Sequence, residues 1–96
     1  MGRGEERMIG TCHICGANGY VERHHIFGGT ANRKLSEADG LVIYLCPNCH
    51  RHAQYAVHRC KATMDSLHKE GQAQWMQATG GSVDDFRKRY GKNHLD

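Results

Sequence analysis

Apolar positions are few along this chain, and they fall into separated groups that predict two strands followed by two helices. Leu41-Val42-Ile43-Tyr44-Leu45 is the only continuous apolar run of its length. Its β-branched and aromatic residues, set between turn signals, predict a buried strand. A shorter strand is expected from about Tyr20 to Ile26, after a turn through Asn18-Gly19 and before Gly28-Gly29-Thr30. Residues 30–40 are polar and basic, and read as irregular with one helical turn around Leu35-Ser36-Glu37.

From about Arg59 to Ala78 the period changes to that of a helix. Met64, Leu67, Gly71, Trp75 and Ala78 recur at three- and four-residue steps and form one stripe, whose simplest use is packing against a small sheet. Gly80-Gly81 ends this helix. Ser82 with Asp85 makes a capping-box start for a last helix, which carries Phe86 and Tyr90 one turn apart and stops at Gly91. Residues 1–10 are Gly-rich and charged and read as a loose arm. No repeat or linker divides the chain, so residues 1–96 are expected to form one domain: an arm (1–10), a core (11–58) and a helical tail (59–96).

Composition limits what that domain is. With 96 residues and 39% hydrophobic content, and a mean hydropathy of −0.71, the core is thin, and chains of this size commonly lean on a metal or a partner. Nothing resembles a signal peptide and no apolar run approaches membrane-spanning length. The expectation is a soluble, unexported, cytoplasmic protein with no membrane partner. Five cysteines in such a setting argue for metal binding over disulfides. The formal charge of +3 suits a phosphate-bearing partner without requiring one.

The cysteines are arranged as Cys12-x-x-Cys15 and Cys46-x-x-Cys49. Each CxxC turn aims two sulfurs at one point, and two turns complete a tetrahedral four-sulfur site, a common geometry for structural Zn²⁺. Cys60 stands alone and reads as a small core residue, and His13 reads as an exposed spacer inside the first knuckle. Between the knuckles lies Arg23-His24-His25-Ile26, and directly after the second lies His50. Neighbours on a strand point to opposite sides. One of His24 and His25 can therefore hold an ion while the other addresses a water beside it, with His50 drawn close by the clamp. His68 and His94 lack such company and read as structural or solvent-facing.

This order of CxxC, His-His, an apolar strand and Leu-Cys-Pro-Asn-Cys-His resembles the HNH endonuclease family, and within it the small phage-type proteins. Arg23-His24-His25-Ile26-Phe27-Gly28-Gly29, Arg33-Lys34-Leu35-Ser36-Glu37 and Gly40-Leu41 share in the likeness, and Gly71-Gln72, Phe86-Arg87 and Gly91-Lys92-Asn93 match more loosely. The resemblance covers about Cys12 to Leu95. It implies an α+β fold: a ββα-metal domain clamped by a four-cysteine structural zinc, followed by a C-terminal helical tail. It further implies a metal-dependent endonuclease that hydrolyses phosphodiester bonds in DNA.

Carried over by position, the resemblance makes His25 the general base and His24 and His50 ligands of a catalytic divalent ion (Mg²⁺, Mn²⁺, Ni²⁺ or Zn²⁺). The third ligand is His52 or His58. Ala56-Val57-His58 resembles the family's later histidine displaced by a short insertion, which favours His58. Eight residues of unbroken helix rise about 12 Å, so His58 can reach the ion of His50 only if the chain bends between Arg51 and Val57. The family's middle asparagine is missing, with Gly40-Leu41 in its place. Asn32 or Asp39 can take its orienting role, or a backbone carbonyl can.

Arg23, Arg33, Lys34, Arg51 and Arg59 flank the histidines in sequence and are candidates to grip nucleic-acid phosphates. A larger phage or host protein complex is a further expected partner. The competing reading is a non-catalytic zinc module that binds nucleic acid or protein through the same surface. Only the enzyme needs His25.

Overall fold

The computed structural model describes residues 8–95. The order of elements is β1 (Met8–Thr11), β2 (Asn18–His25), α1 (Thr30–Ala38), β3 (Val42–Leu45), a π-helical turn over Asn48–His52, α2 (Lys61–Thr79) and α3 (Val83–Tyr90). The strands form one antiparallel sheet ordered β1-β2-β3. The fold is a small α+β arrangement, with α1 set between β2 and β3 and two further helices after the sheet. Among the described residues no helix is long and apolar enough to cross a membrane.

Two elements depart from the sequence expectation. Residues 8–10, expected in a loose arm, belong to β1, where Met8 pairs with Val21 and Ile9 with Tyr20. Their side chains are largely exposed, so ladder hydrogen bonds rather than burial place them, and hydrophobic patterning carries no trace of that. The stretch expected to be irregular, 30–40, is a nine-residue helix. Good helix formers such as Ala31, Lys34, Leu35 and Glu37 favour it. Ser36, fully buried, fixes both of its flanks: its hydroxyl donates to the Leu41 carbonyl at 2.6 Å and accepts from the Phe27 amide at 3.3 Å. A polar residue supplies the anchor, so an apolar stripe was never there to be counted.

The knuckles are built by the strands. β1 runs into Cys12 and β2 leaves after Cys15, so the first knuckle is the tip of a hairpin. The His13 amide donates to the Tyr44 carbonyl at 2.9 Å and so ties that tip to β3, which runs into the second knuckle. Cys12, Leu45, Cys49, Val57 and Leu67 form one core cluster around the sulfurs. Ile26, Phe27, Leu41, Phe86 and Tyr90 form a second, at the other end of the sheet.

α2 lies along both clusters. It starts at Lys61 rather than Arg59, and its stripe is narrower than expected: Leu67, Gly71 and Gln72 are buried, Met64 and Trp75 are half-buried, and Ala78 is exposed. Gly80 (φ 76°) and Gly91 (φ 90°) end α2 and α3 in the left-handed conformation, which glycine adopts without strain. The capping box is present, with the Asp85 amide donating to Ser82 Oγ at 3.1 Å and the Ser82 amide donating to Asp85 Oδ2 at 2.9 Å. Gln72 holds the C-terminal segment, since its Nε2 donates to Asn93 Oδ1 at 2.9 Å and its Oε1 accepts from the His94 amide at 2.6 Å.

Gly71 gives a direct test of this packing. In an exposed helix, glycine to alanine gains about 1 kcal/mol of propensity. Here a Cβ would stand 2.7 Å from Ile26 Cγ2 and 3.1 Å from the Phe27 ring. The branched methyl of Ile26 cannot swing aside, so overpacking by about 1–3 kcal/mol outweighs the gain. Gly71→Ala is expected to lower the denaturation midpoint. A raised midpoint would show that α2 does not sit on Ile26.

Candidate metal centres

The structure gathers the two cysteine pairs into one cluster. The sulfurs of Cys12, Cys15, Cys46 and Cys49 all lie within 4.8 Å of one another, with Cys15 and Cys46 at 3.8 Å. Four sulfurs at about 2.3 Å from a tetrahedral Zn²⁺ stand about 3.8 Å apart. Each knuckle turns an amide back onto its own first sulfur, Cys15 N to Cys12 Sγ at 3.5 Å and Cys49 N to Cys46 Sγ at 3.4 Å.

Their acidities differ in a way that a cation resolves. Burial raises the Cys12 thiol, but amides of Cys15, Cys46 and Ile14 outweigh it and bring it down to about 6. Burial pushes Cys49 up to about 12, and the neighbouring sulfurs add to this. One thiolate forms readily in the cluster, while crowding of like charges opposes the last. The donor set thus fits a structural metal such as zinc. The Cys49 thiol donates to the Tyr55 hydroxyl at 3.8 Å, a contact that no spacing rule in the sequence signals. Cys60 is not a core residue. It is half-buried at the start of α2, outside the cluster.

The histidines form a second cluster. One ring nitrogen from each of His24, His50 and His58 lies within 4.8 Å of the other two. The Nε2 atoms of His50 and His58 are 3.0 Å apart, within hydrogen-bond distance and close enough for both to reach one ion. The required bend exists. The π-helical turn stops at Ala53, which is extended, and the chain doubles back so that the Val57 amide reaches the Cys49 carbonyl at 2.9 Å and the His58 amide reaches the His50 carbonyl at 3.3 Å. His52 is exposed and is not part of this cluster.

His24 is 6% exposed, and its Nε2 is the single buried side-chain nitrogen or oxygen without a hydrogen-bond partner among the described residues. Burial, and then the charges of His50 and His58, push its pKa down to about 4. The ring is neutral at pH 7. Leaving such a nitrogen unpartnered costs roughly 1–3 kcal/mol unless something fills the position. The ligand chemistry of imidazole makes a cation the fitting group. His50 is oriented for the same role, since Glu22 Oε1 lies 2.6 Å from its Nδ1. A proton on Nδ1 leaves Nε2 with its lone pair, which is how carboxylates commonly set metal-binding histidines. Burial raises the Glu22 carboxyl, but hydrogen bonds from His50 and Arg51 outweigh it and keep it ionised.

Beside this cluster His25 is half-buried and its Nε2 lies 2.7 Å from Glu37 Oε1. Arg23 Nη2 donates to the other oxygen of the same carboxylate. Burial, then the charges of Arg23 and Arg33, lower the His25 pKa, so this ring is also neutral at pH 7. Strand alternation is visible in these contacts: Glu22 and His24 meet His50, whereas Arg23 and His25 meet Glu37. At the end of β2 both histidines border one cleft of about 430 Å³, whose walls include His50, His58, Arg33 and Arg51. A second hollow of about 400 Å³ continues from it past His25, Arg33, Lys34 and Glu37.

Other sequence candidates lie elsewhere. Asn32 does not orient His25. Its amide donates to the Tyr90 carbonyl at 3.1 Å, and Asp39 accepts from Arg89 at 2.8 Å and from the Tyr90 hydroxyl. Both residues pin α3 to the β2–β3 connection. Arg59 is spent on the turn, donating to the His52 carbonyl at 2.6 Å. His13 is no bare spacer, because Glu70 meets its ring at 2.8 Å. His68 and His94 do have company: their rings are 4.5 Å apart, and His68 stacks on Phe27.

Sequence reasoning missed Glu22 and Glu37. Glu22 was legible, since it stands two residues before His24 on a strand and so shares its face. Glu37 becomes visible only once α1 exists. Comparison with family models, with curated proteins and with solved structures found no match for this chain.

Proposed function

We propose that this protein is a metal-dependent phosphodiesterase of the HNH type that cuts DNA, with the β2–β3 pair and the π-helical turn serving as its ββα-metal core. The likeness to HNH nucleases is carried by the motif order and by the geometry of the two clusters. The observation with most weight is the convergence of one ring nitrogen each from His24, His50 and His58, with His24 also carrying a buried Nε2 that has no hydrogen-bond partner, in a cleft that also holds a neutral His25 and arginines.

His24, His50 and His58 would hold the divalent ion. When bound, that ion supplies neutralisation of the charge that grows on the scissile phosphate and its leaving 3′ oxygen. Glu37 accepts the Nε2 proton of His25, which leaves Nδ1 as the basic atom. That nitrogen takes a proton from the attacking water as the water oxygen bonds to phosphorus and the bond to the 3′ oxygen breaks. The Glu37 carboxylate then faces an imidazolium and stabilises it. Arg33 and Lys34, which make no ion pair among the described residues, are free to hold substrate phosphates.

Supercoiled plasmid incubated with Mg²⁺, Mn²⁺, Ni²⁺ or Zn²⁺ should be nicked or linearised, and not with EDTA. His25→Ala should slow this by about 10²–10⁴-fold, the usual contribution of a positioned general base. Equal cutting by the variant, or none by the wild type with any of the ions, removes the enzyme reading. The non-catalytic zinc module is then what remains.

A further inference from the structure

We propose that a second phosphate-binding hollow lies on the far side of the His68–His94 pair from the histidine cleft. Its occupant is the backbone of the same DNA strand or its complement, a few nucleotides from the cut. This inference rests on the nuclease reading and extends it from the scissile bond to the length of substrate held.

The hollow, of about 220 Å³, is lined by Lys61, Asp65, Lys69, Lys92, Asn93 and His94. Asp65 is its only acid, and Lys61 neutralises it at 2.7 Å. No ion pair among the described residues engages Lys69 or Lys92. Two positive charges are therefore uncompensated on a concave surface, which is the signature of a site for a polyanion. The histidine cleft itself is poorer in free charge than its sequence suggests, because Glu37 engages Arg23 and Glu22 engages Arg51. Arg33 and Lys34 are the cations left there to grip a strand.

The two regions are contiguous. His68 borders the histidine cleft, His94 borders the lysine hollow, and their rings are 4.5 Å apart. Gln72 fixes the segment bearing Asn93 and His94 to α2 through its buried amide, so Lys92 stands on an anchored piece of chain. A backbone laid across α2 would meet free cations from α1 at one end and from α2 and the C-terminal segment at the other. The phosphate between them would sit at His25. No linear pattern signals this, since Lys69 and Lys92 are 23 residues apart.

The test is the double variant Lys69→Gln/Lys92→Gln, beside Arg87→Gln/Lys88→Gln as a charge-matched control on α3. Binding of a labelled 20-base-pair duplex is followed by anisotropy at several salt concentrations, with Ca²⁺ as the added cation. Hydrolysis of bis(4-nitrophenyl) phosphate is measured in parallel with Mn²⁺. Losing two phosphate contacts should reduce the slope of log affinity against log salt by about 2, and weaken binding about tenfold near 0.1 M salt. The control pair and the small-substrate rate should not change. An unchanged slope in the lysine variant, or the same fall in the control, overturns the second hollow. Salt-sensitive binding that depends on the lysines, without hydrolysis of either substrate, upholds the hollow and defeats the nuclease reading. A wild type that does not bind the duplex at all overturns the hollow.

Discussion

Cys49→Ser is expected to leave this protein unfolded at room temperature, as is stripping the metal with a strong chelator. Cys49 is fully buried, and its sulfur is one of four that converge, with Cys12 and Cys49 on the core side of the cluster. A domain of this size carries roughly 5–14 kcal/mol of net stability. Apparent binding free energies of structural zinc in small knuckle domains are about 10–16 kcal/mol at neutral pH. Losing the ion therefore removes as much as the whole fold has to give. Serine in place of Cys49 also leaves a buried hydroxyl with a poor set of partners. Far-ultraviolet circular dichroism and metal analysis check this together: the wild type should hold tightly bound zinc and melt cooperatively, and the variant should do neither. A Cys49→Ser protein that keeps its helices and its melting midpoint would show that the sulfurs hold no structural ion.

The second large effect concerns His50. Replacing it with alanine should abolish binding of Mn²⁺ or Ni²⁺ at the histidine cluster, measured by titration calorimetry, and reduce DNA cutting to the level seen with EDTA. His50 is the one histidine of the cluster set by a carboxylate, and the π-helical turn that carries it starts in the second knuckle. Its loss removes one of the three converging imidazoles and leaves Glu22 facing Arg51 alone. Glu22→Gln is the graded companion. It keeps the ring but weakens the partner that fixes its tautomer, and a change of that kind typically costs 10–100-fold in metal affinity or activity. The zinc clamp should survive both changes, so retained zinc and a cooperative melt separate loss of the second ion from loss of the fold. If Glu22→Gln and His50→Ala bind Mn²⁺ as the wild type does, the three imidazoles are not a cation site.

What the sequence disclosed follows the reach of each physical signal. β-Branched and aromatic content between turn signals found β3 and most of β2, and apolar residues at three- and four-residue steps found the long helix. Spacing found the four sulfurs, because a CxxC turn is a local geometry. Cap chemistry located α3 to the residue. Helix rise alone requires a bend to bring His58 to His50, and the structure meets that requirement at Ala53. Contacts between distant polar residues stayed hidden. Asn32 looked available to steady His25, yet it holds Tyr90, and the partner of His25 is Glu37 on a helix whose anchor is a serine. The arginines around the cleft were countable, whereas the glutamates that neutralise two of them became apparent only in three dimensions.

Four consecutive residues of β2, Glu22 to His25, sort their contacts to alternate sides of a single peptide ribbon. Inserting or deleting one residue ahead of them, with the ladder to β3 kept in step, would exchange the two sets at a stroke: the imidazole now facing His50 would turn toward α1, and its neighbour would take its place. A slip of one residue would therefore dismantle the site with every side chain still present.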